Sequence, residues 1–191
     1  HVGDDRAAVD TNRSRLQATI QTTTPGARAI FLDQIHGDGV VHLGPHTPDG
    51  TAADACVATA PGVACTIMVA DCLPVLLAHR SGAVVAAAHA GWRGLAGGGG
   101  QGVLESVFKR FEALALIHQA LAAIKSEANK SGKADAESSP HLPHGAVAQD
   151  TLVWLGPCTG PDASEVGAEV RAAFCDVSPD AAAFFTARAG A

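Results

Sequence analysis

Three polar side chains each follow an apolar run. His36 follows Phe31-Leu32-Asp33-Gln34-Ile35, Cys72 follows Thr66-Ile67-Met68-Val69-Ala70-Asp71, and His89 follows Ala83-Val84-Val85-Ala86-Ala87-Ala88. The ends of strands, where the chain leaves the core, are where open sheets place ligand-handling groups. One thiolate and two neutral imidazoles are a donor set for a catalytic zinc, with the fourth position left to water or substrate. The same donors suit copper. The intervals of 36 and 17 residues match no local zinc pattern. By residue type alone, Cys72 and His89 read equally well as a nucleophile and its base, or as a small core thiol and a hydrogen-bonded strand histidine.

The turn after His89 adds further candidates. Trp92 offers a flat face for a base or an aromatic ring, or fills a core. Arg93 can grip a phosphate bidentately or pin a loop carboxylate. Gly97 to Gly100 lead into a helix start, whose free N–H groups can receive an anion, so Gly97 and Gly98 join Arg93 as candidate cofactor- or anion-binding residues. No Gly-Lys-Ser/Thr follows, so this is not a P-loop. Asp71, beside Cys72, can serve as an acid/base or support the neighbouring ligand, or simply cap local backbone.

Short elements must position these groups. Asp4 to Ile20 reads as a helix, with Val9, Leu16 and Ile20 on one face. Strands are predicted over 27–34, 39–44, 54–60, 64–70, 74–80, 83–90 and 151–157, with loop over 45–53. Val103 to Ile124 has helical periodicity, with Val107, Phe108, Phe111, Leu114 and Ile117 on one side. Residues 125–150, polar and rich in Ser, Lys and Pro, read as a mobile surface excursion, and Ala163 to Phe174 as a helix. No internal repeat is visible. The pattern is α+β, with mixed sheets covered by helices.

The chain has 191 residues, enough for one sizeable domain with a real core. A net charge of −6 argues against a nucleic-acid surface. No apolar run approaches the roughly 20 residues of a membrane span, and no secretory signal is visible at the start. The 5 cysteines follow no disulfide framework, which points to a reducing, cytoplasmic setting. The oligomeric state is left open.

The stretches His-Val-Gly-Asp-Asp-Arg-Ala-Ala-Val-Asp-Thr-Asn-Arg, Asp-Gln-Ile-His-Gly-Asp-Gly-Val, Asp-Ala-Cys-Val-Ala-Thr, Val-Ala-Asp-Cys-Leu-Pro-Val-Leu-Leu-Ala, Ala-Ala-Ala-His-Ala-Gly-Trp-Arg-Gly-Leu and Leu-Gly-Pro-Cys-Thr-Gly occur in this order. In that order the chain resembles the YfiH/YlmD family, whose members have been called laccase-domain or polyphenol oxidase proteins and purine nucleoside phosphorylases. The likeness runs from His1 to about Val170 with one gap-like excursion. It implies a four-layer α/β/β/α sandwich of two packed mixed sheets between helices, shared with certain bacterial toxin deamidases. It also implies a metal held by His36, Cys72 and His89. Two family segments, one before His1 and one after the C-terminal helix, are expected to be missing from a single domain over 1–191.

The resemblance implies a zinc-dependent enzyme that phosphorolyses adenosine, inosine and methylthioadenosine, with adenosine deamination as a second activity. A zinc at that site polarises a substrate oxygen or orients phosphate, and lowers the pKa of its water. A copper polyphenol oxidase is the alternative, although multicopper oxidation needs several clustered centres. A metal-free Cys72–His89 amidase acting on cell-wall precursors, and a binding module with a relic site, complete the set. The expected partners are a purine nucleoside and phosphate, with no nucleic acid and no membrane.

Overall fold

The computed structural model describes residues 3–130 and 145–187. Helix α1 (Arg6–Thr23) starts where the Asp5 side chain accepts the Ala8 N–H. Strands β1 (Arg28–Asp33), β2 (Val40–Leu43), β3 (Thr51–Ala52), β4 (Ala55–Ala58), β5 (Val63–Thr66), β6 (Leu73–His79) and β7 (Val85–Ala90) follow. Then come α2 (Trp92–Ala96), α3 (Val103–Lys130), α4 (Ala146–Gln149), β8 (Thr151–Leu155) and α5 (Ala168–Cys175), with short 3-10 turns at Pro161–Ala163 and Pro179–Phe184.

The strands form two sheets, in the orders β3-β1-β5 and β2-β4-β7-β6-β8. The larger is mixed, as expected, whereas every pairing in the smaller is parallel. Alternation along β7 splits the core. Ala86, Ala88 and Ala90 face Val103, Val107 and Phe111 of α3, while Ala87 faces Ile30 and Leu32 of the smaller sheet. Small residues along β7 let both neighbours approach closely. On the far side of the smaller sheet, α1 is tied down by polar contacts: Gln17 Oε1 accepts the Ala29 N–H at 2.9 Å, and the Arg13 guanidinium lies over the Phe31 ring. The layers are therefore α3, large sheet, small sheet, α1.

Several boundaries differ from the sequence reading. The pair Thr51–Ala52 falls inside the expected loop, where it pairs with the end of β1. Helix α3 continues through Lys130, because Lys, Glu and Ala are good helix formers even where composition is polar. After residues 131–144, which lie outside the described residues, α4 buries Val147 against the α3 core. The expected helix from Ala163 is broken: Gly167 is extended, and α5 starts only at Ala168.

Candidate functional site

The register of the large sheet assembles most of the site. β7 is flanked on both sides by antiparallel partners, with Ala55 opposite Ala88 and Pro74 opposite His89. The starts of β4 and β6 therefore lie beside the end of β7. Asp54, just before β4, receives the His89 backbone N–H on its carbonyl at 2.7 Å. Cys72, just before β6, stands next to Gly91. It thus belongs to the start of β6 and not to the end of β5, which closes at Thr66. His89 shares the strand face of Ala87 and so points between the sheets.

His36 comes from the loop after β1 and adopts φ 62°. A left-handed non-glycine residue costs about 1–2 kcal/mol, so something must hold it there. Asp54 does. Its Oδ1 accepts the His36 N–H at 2.9 Å, and its Oδ2 accepts those of Ile35 at 3.1 Å and Gly37 at 2.7 Å. The same Oδ1 accepts His89 Nδ1–H at 2.9 Å. Asp54 is fully buried. Burial pushes its carboxyl upward, but the hydrogen bonds from His89 and the three backbone N–H groups outweigh that and hold it below the ordinary carboxylate range. With Nδ1 committed to Asp54, the His89 Nε2 lone pair is left for a ligand or a proton.

One donor atom from each of His36, Cys72 and His89 lies within 4.8 Å of the others. Among the described residues this is the one such group. Tetrahedral zinc wants such donors about 3.3–3.6 Å apart. The exposed His36 ring and the half-buried thiol can make the small closing rotation, so the residues fit an ion. The Cys72 thiol is pushed up from its usual range, first by burial and then by the charges of Asp71 and Asp54. Gly91 is needed between them: a Cβ there would stand 3.0 Å from Cys72 Sγ and 3.2 Å from His36 Cδ2.

The three donors open onto a cavity of about 880 Å³, whose wall includes Asp71, Gln34, Met68 and Arg13. Asp71 is exposed and is bound by Thr159, whose Oγ1 donates to Asp71 Oδ1 at 3.3 Å and whose N–H donates to the Asp71 carbonyl at 3.1 Å. The remaining expected residues do not join this wall. The Gly-Trp-Arg-Gly turn is the first turn of α2, and Arg93 lies 4.3 Å over the ring of its neighbour Trp92, covering the face expected to be free. Gly97 ends α2, where a Cβ would overlap the Gln101 carbonyl. Gly98 bridges Gln101, and the N–H at the start of α3, on Gly102, already binds Glu105 Oε2 at 2.9 Å. That helix end is occupied by the chain's own carboxylate. Asp54 is the residue that the sequence reading passed over. The one local signal is an aspartate immediately ahead of a fully apolar four-residue strand.

Fold and site together define a two-sheet α+β protein with a three-donor His-Cys-His centre. Residues 1–130 and 139–191 match the model of the multi-copper polyphenol oxidoreductase laccase family, and the chain belongs to that family. It is 40% identical over 185 residues to purine nucleoside phosphorylase PA4543 of Pseudomonas aeruginosa, covering 97% of this chain and 58% of that protein. It is 38% identical to purine nucleoside phosphorylase YfiH of Escherichia coli K12, covering 97% of this chain and 60% of that one. The crystal structure of Neisseria meningitidis protein NMB0706 superposes with a TM-score of 0.69 at 36% identity, over 100% of this chain and 61% of that one. YlmD from Geobacillus stearothermophilus superposes at 0.60 with 25% identity, over 91% of this chain and 54% of that one. The chain thus spans about three fifths of the curated relatives' length. These likenesses agree with the YfiH/YlmD resemblance and with the expected fold. No described helix is long and apolar enough to cross a membrane.

Proposed function

We propose that this chain carries the metal end of a purine nucleoside phosphorylase active site. The observation that carries the reading is the convergence of His36, Cys72 and His89 on the wall of one cavity, with His89 oriented by Asp54. His36, Cys72 and His89 would hold a zinc ion. Bound there, zinc supplies a Lewis acid with an open coordination position. The names of the relatives support a nucleoside as substrate. In phosphorolysis a phosphate oxygen bonds to the anomeric sugar carbon, the carbon–nitrogen bond to the purine breaks, and the departing base takes up a proton. Asp71 stands on the wall where it can exchange that proton or steady Cys72 through the adjoining backbone. Adenosine deamination is the second activity we propose for the same centre.

A metal-free cysteine hydrolase is the second reading, because Cys72, His89 and Asp54 also have the order of a nucleophile–base–orienter triad. Cys72 has to lose its proton in either reading, so metal content and not the thiol decides between them. The family's name keeps copper oxidation of phenols in the comparison, although among the described residues a single donor group is present. One experiment separates the three. Metal content is measured on the purified protein and on Cys72→Ala, beside inosine cleavage with and without phosphate, under air and under argon. The proposal expects bound zinc, phosphate-dependent cleavage indifferent to dioxygen, and loss of both metal and turnover in Cys72→Ala. Chelator-resistant, alkylation-sensitive turnover supports the hydrolase, and dioxygen-dependent turnover of phenols supports the oxidase.

A further inference from the structure

We infer that Arg13 of α1 is the oxyanion-binding residue of the cavity, an assignment that takes phosphate as co-substrate from the reading above. Arg13 lines the same cavity as His36, Cys72 and His89. Its guanidinium lies over Phe31, with Cζ 4.3 Å from the ring centroid. Nη2 reaches only the thioether of Met68, at 3.5 Å, and sulfur is a weak acceptor. Nε is buried and has no hydrogen-bond partner. Among the described residues no carboxylate lies within ion-pair distance of Arg13, whereas Arg6 is paired with Asp10 and Arg28 with Asp49.

A guanidinium presents five donors in a rigid fork and stays charged at every working pH. Within that fork Nε is the buried donor, and among the described residues it meets no acceptor; a buried donor left unpaired is costly. Packing over Phe31 restrains the side chain in advance, which lowers the ordering cost of gripping an anion. The wall also carries Asp4, Asp33, Asp49 and Asp71, together with Arg6, whose charge is paired with Asp10. So acidic a wall repels an anion except where positive charge faces it, and Arg13 supplies that charge on the side of the cavity formed by α1 and β1. A tetrahedral oxyanion such as inorganic phosphate matches the fork. Arg93, stacked on Trp92 and absent from the wall, does not offer this geometry.

The test measures inorganic phosphate binding directly, by 31P line broadening and titration calorimetry on the zinc-loaded chain. Wild type is compared with Arg13→Met, Arg13→Lys, Arg93→Met and Arg15→Met, the last a control for loss of an exposed charge on the same helix. Affinity is expected to fall at least tenfold in Arg13→Met, to fall less in Arg13→Lys, and to hold in Arg15→Met. If Arg13→Met fails to fold, protection of wild-type Arg13 from phenylglyoxal by phosphate, read by peptide mapping, takes its place. Phosphate binding that is absent in wild type, unchanged in Arg13→Met, or lost instead in Arg93→Met overturns the assignment, as does unprotected Arg13. Phosphate bound through Arg13 without inosine cleavage leaves this site standing and removes the phosphorylase reading alone.

Discussion

Asp54 Oδ1 accepts both His89 Nδ1–H and the His36 N–H, each at 2.9 Å, so one buried oxygen fixes the tautomer of one histidine and the backbone of the other. One of the two residues belongs to a strand and the other to a loop with left-handed backbone.

Asp54→Asn is therefore expected to be more damaging than a like-for-like amide swap. Its amide nitrogen would face the Ile35 and Gly37 N–H groups, which now donate to Oδ2. Two opposed donors at 1–3 kcal/mol each predict a loss of roughly 3 kcal/mol in urea unfolding. Zinc affinity, read by chelator competition, should fall about 10–100-fold.

The same carboxyl sets an acid limit for the metal-free chain. Its folded-state pKa is depressed, so its contribution is fully present above the unfolded value of about 3.9 and is lost as pH falls through the lower folded value. Urea midpoints between pH 7 and pH 3 should drop steeply below about pH 4 in wild type, and less steeply in Asp54→Asn, which has no carboxyl to titrate there.

Gly91→Ala tests the crowding of the donors. Gly91 has φ −77° and ψ 160°, which alanine adopts freely, so backbone strain is not at issue. The added methyl would press on Cys72 Sγ and His36 Cδ2. The expected result is a thermal midpoint within a few degrees of wild type and cobalt or zinc binding weakened at least tenfold, visible in the thiolate–cobalt absorption band.

Phe111→Ala probes the support behind the site. Phe111 is fully buried where α3 packs on the large sheet. Loss of about 3–5 kcal/mol is expected in chemical denaturation. Zinc stoichiometry of the folded fraction should be unchanged, because His89 leaves β7 on the face away from α3, and His36 and Cys72 come from outside β7 altogether.

The donors were legible in the sequence because each polar side chain interrupts an apolar run beside a turn. Asp54 was not, because an aspartate before a strand is commonplace and its four donors come from residues 17 to 35 positions away. The glycine run misled for a similar reason. Gly97 and Gly102 serve the tight passage from α2 to α3, where a Cβ would strike backbone carbonyls, and that passage looks like an anion loop until Glu105 is seen on the helix end. Arg13 closes the first of the stretches that carry the family resemblance, but nothing in that stretch says what the arginine binds. Its meaning lies in what it lacks among the described residues, an oxygen partner, and only packing displays that.

The donors do not share a sheet. His36 is borne by the loop leaving the smaller one, while Cys72 and His89 ride on the larger. An ion gripped by all three is consequently a cross-link over the seam between two layers, and its occupancy is coupled to whether that seam stays shut. At a hundredfold excess over Kd such an ion adds about 2.7 kcal/mol to the folded state. A chain stripped of metal should therefore loosen first between β1 and β7, with hydrogen exchange rising there while the α3 face stays protected.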